Sequence, residues 1–322
     1  LTFTVAKAIL GRSQSISKVK KGVKMDWTFE VVAGPFGFTE GPIWKDGALL
    51  FTDIPESRIM RYDPVSGNCD EHRTGTNGAN GLVLDKEGRI YAAEGTFKPT
   101  ADKFEDGPGR RIARYEADGS TTTIAETFEG RRFNSPNDVT VDGKGRVWFT
   151  DPRYGSDRSC MELDHESVFR ADPQADGSYK VHRVTFDTTK PNGLIVTPDM
   201  KTLYVAQSDY GESTVRELRA YPINDDGSTG QCDVLHNFGP HRGIDGMTLD
   251  EDLNIVGSAG FPQSGPGPMI YVFSPKGRVL ETHPFPINPT NCIFGDADLT
   301  SLYVTASDGN LYRGKTSRKG LA

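Results

Sequence analysis

Residues 190–207 read KPNGLIVTPDMKTLYVAQ: Asn192-Gly193 opens an apolar run, a turn follows, and a second apolar run ends in small residues. Five other stretches share this grammar: TEGPIWKDGALLFTD around Glu40, ANGLVLDKEGRIYAAE around Asn80, SPNDVTVDGKGRVWFTD around Asn137, IDGMTLDEDLNIVGSA around Asp245 and PTNCIFGDADLTSLYVTA around Asn291. The key positions are 40, 57, 55, 53 and 46 residues apart, close to the ~40–50 residue period of propeller blades. Within each copy, runs rich in Val, Ile, Leu, Tyr and Phe break at words such as D-K-E-G-R, D-G-K-G-R and D-E-D-L-N, the pattern of strands joined by tight turns.

Between the copies lie further strand pairs, among them RIMRYDPVSGNCDEHR and ELRAYPINDDGSTGQCDVL. Each completes a four-stranded unit, so the sequence predicts an all-β, six-bladed β-propeller. A ring of sheets needs a seal between its first and last blades. WTFEVVA at 27–33 is a strand without a hairpin partner, and the last copy ends one strand short. The N-terminal strand is therefore expected to close the sixth sheet. The domain reading is a basic N-terminal arm at 1–26, one propeller over 27–314 and a C-terminal tail at 315–322.

Composition narrows the function. The 322 residues hold 36 Gly and 20 Pro, scattered rather than pooled, and the formal charge is −7, which argues against a general nucleic-acid surface. The exception is the arm, where Lys7, Arg12, Lys18, Lys20, Lys21 and Lys24 meet no acid; it reads as a solvated leader. Its run VAKAIL is too short for a membrane span. Cys69, Cys160, Cys232 and Cys292 show no zinc spacing and read as buried free thiols. Nucleophile-elbow, H-E-x-x-H, P-loop and dinucleotide words do not occur. His241 precedes RGIDGM and could approach the channel mouth, although a lone loop histidine is more often solvated or structural.

Polar-Gly pairs are common at turns, but here they precede the innermost strand, while other words supply the hairpin turns. One register in all six blades would gather the polar side chains at one mouth of the channel. Converging oxygens, with Glu40 and Asp245 repelling each other, call for compensation. Two carboxylates and Asn carbonyls form the hard-oxygen set of Ca2+ or Mg2+. A metal in the central channel is the resulting expectation, with a purely structural polar plug as the alternative.

The words TEGPIW, GANGLVLD, RRFNSPNDVTVDGKGRVWFTDPRYG, KPNGLIVTPDMKTLYVA and IDGMTLDEDLNI, in this order, resemble the gluconolactonase branch of the senescence-marker-protein, gluconolactonase and luciferin-regenerating-enzyme family. The resemblance spans roughly 27–314 and implies hydrolysis of sugar-acid lactones in a six-bladed propeller. It implies one divalent cation, Ca2+ first, with Zn2+, Mg2+ or Mn2+ as alternatives, held by Glu40, Asn137, Asn192 and Asp245. Asp245 is the candidate base as well as a ligand; the alternative is that it only ligates. Asn80, Asn137 and the Arg153-Tyr154 pair of DPRYG are candidates to grip the substrate, against the plainer readings of Arg153 as a surface ion pair and Tyr154 as a packing ring. Animal members carry Arg two residues before the equivalent of Asn137, where this chain has Ser135, so the substrate stays open.

The partner expected is a small-molecule lactone, with no nucleic acid and no membrane, and the state is a monomer or weak homo-oligomer. The compartment stays open between the cytoplasm and, if an export signal has been removed, the periplasm. Two rivals remain: a phosphotriesterase-like hydrolase, since diisopropyl fluorophosphatase shares this kind of propeller, and a non-catalytic binding scaffold.

Overall fold

The computed structural model describes residues 27–95, 109–155, 157–211 and 214–321. The arm expected at 1–26 lies outside the described residues. Among the described residues there are strands and no helix, and hence none long and apolar enough to cross a membrane.

Strand β1 (Phe29–Ala33) comes first. The first sheet is β2 (Thr39–Lys45), β3 (Ala48–Asp53), β4 (Arg58–Tyr62) and β5 (Cys69–Thr74). The second is β6 (Ala79–Leu84), β7 (Ile90–Glu94), β8 (Arg111–Tyr115) and β9 (Thr121–Ala125), followed by a small ribbon, β10 (Thr127–Phe128) and β11 (Arg131–Arg132). The third is β12 (Val139–Val141), β13 (Val147–Asp151), β14 (Ser167–Pro173) and β15 (Tyr179–Arg183); the fourth is β16 (Pro191–Val196), β17 (Thr202–Ser208), β18 (Arg216–Pro222) and β19 (Asp233–Asn237). The fifth is β20 (Ile244–Leu249), β21 (Ile255–Phe261), β22 (Ser264–Phe273) and β23 (Val279–Pro284). β24 (Pro289–Gly295), β25 (Ser301–Ala306) and β26 (Leu311–Lys315) form a sheet in the order β1-β26-β25-β24. β1 pairs antiparallel with β26, Phe29 opposite Gly314 and Val31 opposite Tyr312.

All six large sheets are antiparallel, and the first strands β2, β6, β12, β16, β20 and β24 touch in succession, β24 returning to β2. This is the six-bladed β-propeller. The second strand of each sheet is largely buried; in β3, Leu49 and Phe51 meet Tyr303 and Leu311 on one side, and Leu50 meets Leu82 and Ala92 on the other. Two-sided burial explains why these strands read as unbroken apolar runs. Burying one Phe such as Phe51 contributes about 1.5–3 kcal/mol. The outermost strands carry the charge, as in β5, CDEHRT.

The repeated turn words act through their aspartates. Asp85 Oδ1 accepts from the backbone N–H of Glu87 and Arg89 at 3.0 and 2.9 Å, and Asp142 and Asp250 do the same in their own turns. The last residues turn back onto the ring: Arg318 bridges Asp250 and Glu281, each at 2.6 Å, and Gly320 pairs with Asp250. All four cysteines are free, but only Cys292 is fully buried; the other three are half-buried, because they lie in outer strands and loops rather than at the hub.

Candidate active site

The polar-Gly words sit on breaks in register, not on hairpin turns. In β2 the pairing skips between Glu40 and Ile43, in β6 between Ala79 and Leu82, in β16 between Pro191 and Leu194, and in β20 between Ile244 and Met247. An extra residue in one strand re-aims its side chain, here toward the axis. Glycine follows because the next blade is already there. A Cβ on Gly41, at φ +50°, would lie 2.1 Å from the Asn80 carbonyl oxygen, and one on Gly246 would lie 2.0 Å from Asn291 Cγ. Each word thus abuts the key residue of its neighbour.

Five of the six key residues line one cavity of about 180 Å3: Glu40, Asn80, Asn137, Asn192 and Asp245, with Phe38, Ile54, Tyr154 and Tyr210 as walls. Asn291 lies beneath them. Its Nδ2 donates to Glu40 Oε2 at 3.1 Å, which also accepts from Gly41 N–H at 2.8 Å. Among the described residues no donor reaches Glu40 Oε1, although the residue is 5 % exposed. Asn192 spends its Nδ2 on the Tyr154 hydroxyl at 2.9 Å and Asp245 Oδ1 at 2.6 Å, leaving Oδ1 for the cavity. Arg242 holds the other oxygen of Asp245. Burial and the charge of Asp245 hold the Glu40 carboxyl well above the usual carboxylate range. Burial also raises Asp245, though Arg242 and Asn192 pull it back. Burial pushes Asp138, just under the ring, up to about 7.

A set of clamps positions the words, and sequence reasoning missed them. Asp53 Oδ1 accepts from Gly37 and Phe38 N–H at 3.0 and 3.3 Å, while Arg58 grips its other oxygen. Asp151 accepts from Asn134 and Ser135 N–H, both at 2.8 Å, against a burial that pushes it up to about 7. Glu94 takes Asn77 Nδ2 at 2.9 Å, and Gln207 takes Thr189 N–H at 3.2 Å. In all four blades a polar residue at or next to the end of the second strand fixes the segment leading to the key residue. The signal was present in FTD, AAE and VAQ: one polar residue closing an apolar run.

The structure brings together Glu40, Asn80, Asn137, Asn192, Asp245 and Tyr154, and leaves Arg153 outside. Arg153 is buried, its backbone N–H on Glu166 Oε2 at 2.6 Å and its Nε on the Asp157 carbonyl at 2.9 Å. Ser135 caps the Gly95 carbonyl at 3.1 Å. His241 packs against Gly265 rather than in the cavity.

The donor set suits a hard divalent cation. Two carboxylates and several amide side chains surround the cavity, no thiolate or imidazole lines it among the described residues, and the buried Glu40 carboxyl, with one oxygen unengaged, faces charge repulsion that a cation would relieve.

Comparison with known proteins places the chain among lactonase-family propellers. The profile of the SMP-30/Gluconolactonase/LRE-like region matches residues 38–308. The gluconolactonase of Zymomonas mobilis is 30% identical over 321 residues, covering 90% of this chain and 82% of its own length. The pentonolactonase of Haloferax volcanii is 30% identical, covering 84% and 82%, and the regucalcin of Xenopus laevis is 28% identical, covering 87% and 86%. Among solved structures, a gluconolactonase from Xanthomonas campestris matches with a TM-score of 0.73 at 27% identity, covering 90% of this chain and 89% of that chain.

Proposed function

The chain belongs to the SMP-30/gluconolactonase/LRE-like family and is a lactonase; we propose that it opens sugar-acid lactones with one divalent cation, Ca2+ first, held by Glu40, Asn137, Asn192 and Asp245. The observation that carries this reading is the convergence of Glu40, Asp245 and three asparagine amides, from five blades, on one cavity of about 180 Å3. Antiparallel pairing of β1 with β26 supports closure of the ring by the N-terminal strand.

A bound cation supplies Lewis acidity at the lactone carbonyl and lowers the pKa of adjacent water. The side chains do the rest. Asp245, oriented by Arg242 and Asn192, accepts the proton of the attacking water as the water oxygen bonds to the carbonyl carbon. The bond between that carbon and the ring oxygen then breaks. The departing ring oxygen takes the proton back from Asp245, leaving an open-chain hydroxy acid. Asn80, Asn137 and the Tyr154 hydroxyl face the same cavity and bind the substrate's hydroxyls.

Proton release from glucono-δ-lactone, followed at constant pH, tests the reading. EDTA is expected to abolish activity and Ca2+ to restore it, while Glu40→Gln and Asp245→Asn lose at least about 100-fold, the scale of one positioned acid–base group. Full turnover by protein shown by elemental analysis to be free of metal would overturn it.

A further inference from the structure

Outward from Asp245, Tyr210 and Phe38 the cavity opens into a second chamber of about 470 Å3, whose further wall includes Arg216, Phe261 and Asn288. Arg216 begins β18 and is 7 % exposed. Its guanidinium donates to two backbone carbonyls, Gly211 at 3.1 Å and Gly239 at 3.5 Å, and its buried Nε has no partner. Among the described residues no carboxylate lies within ion-pair distance of it. Arg146, Arg170, Arg219 and Arg242, equally withdrawn from solvent, each have one. A buried cation without a counter-ion is costly. Asn288 Oδ1 is also buried without a donor, an acceptor suited to a substrate hydroxyl beside the charged group.

We propose that Arg216 receives an anionic group on the substrate: the preferred lactone carries a carboxylate or phosphate at the end remote from its carbonyl. This rests on the lactonase reading above. With the lactone carbonyl beside Asp245, the substituent extends into the chamber, where the apolar faces of Phe38, Tyr210 and Phe261 cover its stem and the guanidinium fork meets its charge. The two cavities together fall in the size range of ligand sites, about 300–1,000 Å3, and leave room beyond an unsubstituted sugar ring.

The test compares kcat/KM for glucono-δ-lactone, a glucarolactone bearing a free carboxylate and 6-phosphogluconolactone, in wild type, Arg216→Gln and Arg216→Lys. The wild type is expected to favour a charged substrate, and the arm with the larger preference identifies the anion. Arg216→Gln is expected to lower the charged-to-neutral ratio by about 10- to 100-fold, the worth of a charge-assisted pair in a buried site. Arg216→Lys, which keeps the charge without the fork, lowers it less and serves as the main variant should the Gln protein fail to fold. Calorimetric binding of glucarate against gluconate reads the anion site without turnover. If binding depends on Arg216 while no lactone is opened, the lactonase reading fails and the anion site stands. A ratio unchanged in both variants overturns the proposal. So does Glu212→Gln reproducing the loss, which would assign the guanidinium to that carboxylate.

Discussion

The polar-Gly word makes a quantitative claim about its glycine, and Gly41→Ala tests it. Gly41 has φ +50°, which costs an alanine about 1 kcal/mol of backbone strain. Its new Cβ would also stand 2.1 Å from the Asn80 carbonyl oxygen and 3.0 Å from the Leu82 nitrogen, both backbone atoms of the next innermost strand. Neither atom can rotate away, so two blades must separate by about an ångström at the hub. Overpacking of that kind costs about 1–3 kcal/mol, for a total of about 2–4 kcal/mol. Gly119→Ala is the control, since Gly119 has φ +88° but nothing within 4 Å of a Cβ. It bears only the strain. Urea unfolding of both variants should place Gly41→Ala below Gly119→Ala by about 1–3 kcal/mol, with lactonase activity reduced only in the former, because Glu40 and Asn80 move with the strands. Equal stability of the two variants would refute the close approach.

Asp151→Asn replaces an acceptor that serves two backbone N–H groups at 2.8 Å with an amide that offers one oxygen; stability should fall by about 1–3 kcal/mol in urea unfolding, and an unchanged midpoint would remove the clamp. Tyr154→Phe deletes the hydroxyl that accepts from Asn192 at 2.9 Å. Steady-state kinetics should show about a 5- to 10-fold loss in kcat/KM, and a wild-type value would make Tyr154 a packing ring. Asp296 provides a pH signature. Burial pushes its carboxyl up, but hydrogen bonds from Ser301, Tyr303 and Arg313 outweigh it and hold it at about 2. A depressed carboxyl contributes stability above its unfolded value of about 3.9 and loses it as pH falls toward 2. Melting temperatures should therefore drop between pH 4 and 2 in the wild type, and an equally steep drop in Asp296→Asn would contradict this.

The ring was legible because its repeating unit is written in side chains that cannot be exchanged freely. A glycine after each of Glu40, Asn80, Asn192 and Asp245 marks where neighbouring blades meet, and the apolar runs of β3 or β25 reflect sheets covered on both faces. Other features depend on direction. Arg153 and Tyr154 are neighbours in DPRYG, yet only the tyrosine reaches the cavity, since adjacent residues in extended chain point opposite ways. Asn291 fits the word but is followed by Cys292 instead of glycine, and it sits below the cavity supporting Glu40. Arg242 and Arg216 left no signal: Arg242 reaches from β20's approach to the Pro289 carbonyl of the next blade, and Arg216 from the start of β18 to the carbonyls of Gly211 and Gly239, contacts that only the packed loops decide.

That missing information concerns charge. The six key positions alternate little in geometry but strongly in electrostatics: amides occupy blades two to four, while Asp245 and Glu40 flank blade six. Both acids are thus on one side of a nearly symmetric channel, the side on which Arg242 and the outer chamber lie. Arg242 neutralises one carboxylate and leaves Glu40 as the uncompensated acid. Adding a divalent cation, on the proposed reading, turns that negative balance into a surplus positive charge. Lactone opening builds negative charge on the carbonyl oxygen, and a fixed surplus of the opposite sign in a water-poor cavity stabilises that charge more than it stabilises the neutral substrate. On that reading the blade that carries Arg242 and Asp245 contributes to rate through the proton transfer, Glu40, Asn137 and Asn192 contribute by holding the cation, and Asn80 contributes mainly to holding the substrate's hydroxyls.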